Sequence, residues 1–124
     1  MSTEDVLFRL SETLASRRDA DPERSYTARL LAGGPDSILK KIGEESAELI
    51  MAAKDGERAS IVYESADLIY HMWVLLSFYG IGADEVLGEL RRREGTSGID
   101  EKKSRPSSEG KINGKLPVLQ DRAR

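Results

Sequence analysis

Cysteine is absent from this chain of 124 residues, and its absence excludes disulfides, thiolate catalysis and cysteine-based zinc sites. A large excess of one charge is also missing. The net charge of −3 gives no general attraction to nucleic acid or to anionic membranes, so neither partner is expected. The N-terminal segment MSTEDVLFRL lacks the basic and apolar regions of a secretory signal, and we expect a cytoplasmic protein.

Long hydrophobic runs are also lacking. The longest, residues 68–79, is interrupted by His71 and Ser77. A bilayer span requires about 20 apolar residues, so this run predicts a buried core helix. No segment alternates β-branched and polar residues, which favours an all-α bundle. Apolar residues at helical spacing predict about four helices, over residues 3–17, 35–55, 58–79 and 83–94.

Local signals refine these boundaries. Ser2 or Thr3 is predicted to cap the first helix, Pro35 suits the first turn of the second, and Gly56 ends it. Residues 25–31 can form a further short helical piece. The sequence predicts one helical domain over residues 1–95. It also predicts a Gly/Ser/Lys-rich tail over residues 96–124. The composition of residues 95–115 is typical of a loop or a disordered segment.

Carboxylates recur at helical spacing in two places. Glu44, Glu45 and Glu48 lie on the second predicted helix. Residues three or four apart share a helix face, and like charges placed there repel one another unless a cation compensates them. The alternative is a solvated acidic face, and for Glu44 and Glu45 alone this alternative is favoured.

The second acidic pair, Glu64 and Asp67, is harder to explain as a solvated face. The helix that follows Asp67 is apolar on nearly every side, and such a helix is buried. Buried charges are normally paired or bound to metal. A short connection around Gly56 favours antiparallel packing, which would bring the two acidic groups together. An all-oxygen ligand set suits Mg²⁺, Mn²⁺ or Ca²⁺.

The segments GEESAE and ESAD resemble the EExxE…ExxD signature of the all-α NTP pyrophosphohydrolases, the MazG-like superfamily. Longer segments resemble one branch of it, the phosphoribosyl-ATP pyrophosphatases of histidine biosynthesis, over about residues 4–105. These segments are SYTARLLAGGPDSILKKIGEESAELIMAAK, ESADLIYHMWVLL and RRREGTSGIDEK. The resemblance implies Mg²⁺-dependent hydrolysis of phosphoribosyl-ATP to phosphoribosyl-AMP and pyrophosphate.

The resemblance also implies residue roles. Members of the family are generally dimers or larger, so a second subunit is expected to complete the bundle. Glu44 would be a further ligand or orient the attacking water, which makes Glu44 and Glu45 the candidate catalytic residues. The implied Mg²⁺ ligands are Glu45, Glu48, Glu64 and Asp67.

Basic and hydroxyl side chains are candidates for contacts to the substrate phosphates. Lys41 has the alternative of pairing with Glu44 and Glu45 one turn away. The arginines at the end of the fourth helix also complement its dipole, and the resemblance favours a role in substrate binding for residues 96–105 as well. The candidates are Lys41, Arg92, Arg93, Thr96 and Ser97.

Two alternative functions remain at this point. A house-cleaning pyrophosphohydrolase for dUTP or non-standard NTPs would share the fold and the metal ligands. A non-catalytic helical oligomerisation module would tolerate the change of every carboxylate to its amide. His71 is most simply a satisfied core histidine, and Tyr26 could stack on a base.

Overall fold

The computed structural model describes residues 2–95 and 98–104, and the described residues form six helices and no strand. The all-α prediction is confirmed, and the four predicted helices correspond to α1, α3, α4 and α5. The helices are α1 (Val6–Ser16), α2 (Tyr26–Ala32), α3 (Pro35–Asp55), α4 (Arg58–Phe78), α5 (Ala83–Arg92) and α6 (Gly98–Ser104).

The predicted cap of α1 is wrong. Helix α1 begins at Val6, and its N-cap residue, Asp5, makes no hydrogen bond to the helix through its side chain. The Ser2 hydroxyl instead accepts a hydrogen bond from the backbone N–H of Glu4, before the helix begins. A polar residue near a predicted start is therefore a weaker guide to the first turn than the apolar periodicity that follows it.

The loop predicted over residues 95–115 is also wrong in part, because residues 98–104 form α6. The sequence of α6 is GIDEKKS. Its glutamate and two lysines have good helix propensity, and its aspartate suits a first turn. A composition rich in glycine, serine and charge therefore hid a helix of seven residues.

A tight turn joins the two longest helices. Helices α3 and α4 each have 21 residues, and only Gly56 and Glu57 separate them. Gly56 adopts a left-handed conformation with φ +70°, and its N–H bonds the carbonyls of Ala52 and Ala53. Left-handed backbone costs little for glycine, so α3 can end there and the chain can reverse. The result is an antiparallel α3–α4 hairpin, as predicted.

The core lies where α1 and α2 pack against this hairpin. Leu14, Ile38 and Val74 are fully buried. The indole N–H of Trp73 donates to the backbone carbonyl of Leu7 at 3.0 Å, which ties α4 to α1. Burial of these side chains removes apolar surface from water and holds the helices in place.

Two compact units are present. Residues up to Ala83 form one unit with α1 to α4, and the rest of α5, with α6, belongs to a second. Among the described residues, no helix combines the length and apolar character needed to cross a lipid bilayer.

Shortening the buried Val74 to alanine is expected to destabilise the protein by about 2 kcal/mol, since two buried methyl groups are lost and a cavity remains. Val6→Ala is the matched control, because Val6 is 48% exposed. Urea unfolding measures both changes. Equal destabilisation by the two variants would contradict the placement of the core.

Candidate metal centre

The turn at Gly56 decides which carboxylates face each other across the α3–α4 hairpin. Glu48 and Glu64 lie eight residues before and after Gly56, and Glu45 and Asp67 lie eleven residues before and after it. Residues equally far from the turn of an antiparallel hairpin lie at the same level. One carboxylate oxygen from each of the four residues lies within 4.8 Å of the others. The structure thus brings together the four residues predicted to hold a metal.

Burial within this four-carboxylate cluster differs from the expectation. Glu45 is 4% exposed and is the most buried of the four, so its interpretation as part of a solvated face is wrong. The buried residues of α3 are Ile38, Glu45 and Ala52, which recur every seven residues, or two helical turns. Glu45 therefore occupies a core position, and its spacing from Ile38 is the sequence signal for it. Glu44 is exposed, as expected.

The cluster has the chemistry of a cation site. Among the described residues, the buried oxygens Glu45 Oε2 and Glu64 Oε2 have no hydrogen-bond partner. Such atoms are costly unless a positive charge compensates them. Octahedral Mg²⁺ keeps its ligands at about 2.1 Å, hence at most about 4.2 Å apart. The observed spacing needs only small side-chain rotations to reach that limit. The residues fit a hard divalent cation.

Desolvation and the neighbouring carboxylates raise the pKa of two carboxyl groups of the cluster, Glu64 and Asp67. Desolvation, followed by contact with the Glu48 carboxylate, raises the pKa of Glu64 to about 7. Desolvation and contact with Glu45 likewise raise the pKa of Asp67. Each facing pair can share a proton when no cation is bound. Proton and cation therefore compete for the same oxygens.

Lys41 forms ion pairs beside the cluster. Its Nζ is 3.4 Å from Glu45 Oε1 and 3.5 Å from Glu44 Oε2. Desolvation lowers the pKa of Lys41, but Tyr26 and the two carboxylates outweigh it and raise the pKa overall. Lys41 thus joins Glu44 to the cluster. The structure shows Lys41 paired with Glu44 and Glu45, the alternative that the sequence left open. A contact between Lys41 and a substrate phosphate stays a prediction.

Two hydrogen bonds tie α2 to α4 next to the cluster. The Tyr26 hydroxyl lies 3.0 Å from His71 Nε2, and His71 Nδ1 lies 2.8 Å from the backbone carbonyl of Asp67. The Thr27 hydroxyl is hydrogen-bonded to the Tyr70 hydroxyl. His71 is buried and satisfied, as the simpler interpretation predicted. The sequence placed His71 one turn from Asp67, but no local pattern signals its contact with Tyr26.

The predicted arginines lie in the second unit, around Glu89. The Nη2 of Arg92 donates to Glu89 Oε1 at 2.8 Å, and the Nε of Arg93 donates to the same oxygen at 3.2 Å. Hydrogen bonds from Arg92 and then Arg93 lower the pKa of Glu89 to about 2. Thr96 and Ser97, the other predicted contacts, lie outside the described residues.

Known proteins with similar sequences share one description. Residues 7–94 match the family model of phosphoribosyl-ATP pyrophosphohydrolase. The phosphoribosyl-ATP pyrophosphatase of Dechloromonas aromatica (strain RCB) is 72% identical over 105 residues, which cover 85% of this chain and 97% of that protein. Proteins of the same description from Nitrosospira multiformis and Azoarcus sp. (strain BH72) are 55% and 57% identical. Their alignments cover 85% and 82% of this chain, and 87% and 94% of those proteins.

Replacing Glu64 by glutamine is expected to raise the melting temperature of the metal-free protein at pH 8 more than at pH 5. A carboxyl group whose folded pKa is raised favours the folded state below its ordinary pKa of 4.5, and this contribution is lost as the pH rises to about 7. Glutamine mimics the protonated form and removes the loss. Thermal unfolding in EDTA measures the difference.

Glu89→Gln is the control for this pH dependence. Glu89 has a pKa of about 2, so it stays ionised throughout the window. Its substitution is expected to shift the melting temperature by the same amount at pH 5 and at pH 8. A Glu64→Gln shift that is equally independent of pH would contradict the raised pKa of Glu64.

Proposed function

Since the chain belongs to the phosphoribosyl-ATP pyrophosphohydrolase family, we propose that it hydrolyses phosphoribosyl-ATP to phosphoribosyl-AMP and pyrophosphate at the four-carboxylate cluster. This reaction is the second step of histidine biosynthesis. The convergence of four carboxylate oxygens within 4.8 Å carries the assignment to this site. The names of the related proteins favour phosphoribosyl-ATP over dUTP or other NTPs as the substrate. A non-catalytic module gives no reason for the buried, unpaired oxygens of the cluster.

The cofactor of the proposed reaction is Mg²⁺. Its ligands would be Glu45 and Asp67 at one level of the hairpin, and Glu48 and Glu64 at the next. When bound, Mg²⁺ polarises phosphoryl oxygens and neutralises charge on the departing pyrophosphate. The two long helices hold the carboxylates in place before the substrate arrives, so little reorganisation is needed during the reaction.

Glu44 is suited to handle the attacking water. It lies outside the set of four converging oxygens, is exposed, and is held beside Glu45 by Lys41. The oxygen of water would attack phosphorus in the α–β phosphoanhydride, and the bridging P–O bond would break as pyrophosphate leaves. The proton of water would pass to a carboxylate, for which Glu44 is the first candidate and Glu45 the second.

Further contacts to the phosphates are part of the proposal. Lys41 is partly exposed beside the cluster, so its ammonium can turn from the carboxylates toward a phosphate. Guanidinium groups at and just after the end of α5, and hydroxyls of the residues that follow, would bind the remaining phosphate oxygens. The proposed contacts are Lys41, Arg92, Arg93, Thr96 and Ser97, and the cytoplasmic location likewise stays a prediction.

A second copy of the chain would cover the open face of the hairpin. Apart from a few charged residues helix α4 is largely apolar, yet Val62 and Tyr63 are 64% and 68% exposed. On α3, Ile50 is 64% exposed and lies as far from Gly56 as Val62 does, so the two lie at one level. Exposed apolar groups arranged in this way are typical of protein interfaces. We therefore propose a homodimer, in which each α3–α4 hairpin packs against its partner.

Glu48→Gln and Asp67→Asn are expected to lower kcat by about 100-fold or more, because each removes one negative ligand from the cation. The assay follows pyrophosphate release from phosphoribosyl-ATP, with Mg²⁺ and with EDTA, against a panel of dUTP and ordinary NTPs. Metal affinity is measured separately, by Mn²⁺ titration without substrate.

Glu57→Gln is the control on the same hairpin, since the Glu57 side chain does not cap α4. Its activity and Mn²⁺ affinity are expected to equal those of the unmodified protein. Substantial activity in Glu48→Gln or in EDTA would contradict the site, whereas faster hydrolysis of dUTP than of phosphoribosyl-ATP would contradict the substrate.

Val62→Glu is expected to convert the dimer into a monomer, because a charge placed in an apolar interface loses its hydration. Val6→Glu, at an exposed valine of α1, is the matched control and should remain dimeric. Sedimentation equilibrium at micromolar concentration gives both masses. A monomeric unmodified protein would contradict the proposed dimer, and so would a dimeric Val62→Glu variant.

A further inference from the structure

We propose that Tyr26 positions the substrate by accepting a hydrogen bond from a hydroxyl of the ribose that carries the cleaved phosphates. The inference rests on the proposed function and adds a role for α2, which carries none of the carboxylates. It starts from the chain of hydrogen bonds that runs from the Asp67 carbonyl through His71 to Tyr26.

The hydrogen positions on His71 follow from its two hydrogen-bond partners. Its Nδ1 lies 2.8 Å from the Asp67 carbonyl oxygen, which can only accept, so Nδ1 carries the hydrogen. In the neutral imidazole, Nε2 then has the lone pair. The Tyr26 hydroxyl, 3.0 Å away, then donates a hydrogen bond to Nε2. The direction of both hydrogen bonds is thus set by a backbone carbonyl.

The hydrogen bond to His71 limits what else Tyr26 can bind. The phenol has a single hydroxyl hydrogen, which is engaged in that hydrogen bond, so the Tyr26 oxygen can only accept from a further partner. A phosphate oxygen is also an acceptor and makes a poor partner for it. A ligand group that donates a hydrogen bond fits instead. Tyr26 is 48% exposed, so such a ligand can reach it.

Tyr26 lies beside the cluster and is held firmly. Desolvation raises its pKa, and the charges of Glu45 and Asp67 add to this effect against the opposing charge of Lys41. Tyr26 is the first residue of α2, where the Ser25 hydroxyl caps the helix by accepting from the N–H of Ala28. The capped first turn of α2 holds the backbone of Tyr26, and the hydrogen bond to His71 holds its hydroxyl oxygen.

The substrate carries hydrogen-bond donors on its sugar. The phosphates of the nucleotide would lie at the cluster, and the sugar attached to the α-phosphate is the next group along the molecule. Its hydroxyls are hydrogen-bond donors, which the phosphates are not. A ribose hydroxyl is therefore the substrate group that matches both the place and the acceptor character of the Tyr26 oxygen.

Tyr26→Phe tests the proposal, because it removes the oxygen and keeps the ring. Phosphoribosyl-AMP retains the ribose, and we expect its inhibition constant to rise by about tenfold, the usual effect of one lost hydrogen bond. The inhibition constant of pyrophosphate, which has no ribose, and the affinity for Mn²⁺ should not change. KM should rise more than kcat falls, since the contact exists before the reaction begins.

Tyr70→Phe is the matched control. It breaks the neighbouring hydrogen bond between α2 and α4, the one from Tyr70 to Thr27, and removes the same atom. We expect it to lower the melting temperature about as much as Tyr26→Phe and to leave both inhibition constants unchanged. Equal kinetic effects of the two variants would show that both tyrosines only clamp α2, and would overturn the proposal.

His71→Gln tests whether His71 orients Tyr26. We expect weaker phosphoribosyl-AMP inhibition with unchanged Mn²⁺ affinity, and no further loss when Tyr26→Phe is added, because the two residues act through one oxygen. The ribose contact would be overturned if Tyr26→Phe had the same kinetics as the unmodified protein. It would also be overturned if the variant bound pyrophosphate or Mn²⁺ more weakly but phosphoribosyl-AMP equally well. An unmodified protein inactive on phosphoribosyl-ATP would instead overturn the proposed function, and this inference with it.

Discussion

Repulsion among four carboxylates is the constraint around which this small helical protein is arranged. The oxygens lie within 4.8 Å of one another, and Glu45 places its carboxyl group in a core position of α3. Water cannot solvate the two buried oxygens that have no partner, and Lys41 reaches only one side of the cluster. The hairpin can keep this arrangement because its apolar core favours packing of the same two helices. A bound cation would turn the repulsion into attraction.

The turn at Gly56 couples the fold to the chemistry. Because the facing carboxylates are equally far from Gly56, a residue inserted on one side alone would rotate that helix face and separate the pairs. The left-handed conformation of Gly56 allows a connection of only two residues, which leaves little freedom in the register. The geometry of the site is therefore decided at a position that carries no functional group.

Much of this could be predicted from the sequence, because it depends on spacing along single helices. The all-α fold, the end of α3 at Gly56 and the convergence of the acidic pairs follow from local signals. The depth of Glu45 was predicted wrongly, since acidic neighbours hid its seven-residue spacing from Ile38 and Ala52. The contact of Tyr26 with His71 joins residues 45 positions apart, and no pattern within one helix contains it.

The proposed roles separate the hydrolytic chemistry from the recognition of the sugar. In the proposed reaction the cluster would hold the cation that accompanies the phosphoanhydride, and it lies on two long helices that the core supports. Discrimination requires contacts to the sugar and base, and the proposed contact of Tyr26 with the ribose is one of them. Helix α2 buries four of its seven residues, so the same packing that supports the hairpin also holds Tyr26, which is its first residue. Substrate choice is therefore expected to depend on Tyr26, and the hydrolytic chemistry on α3 and α4.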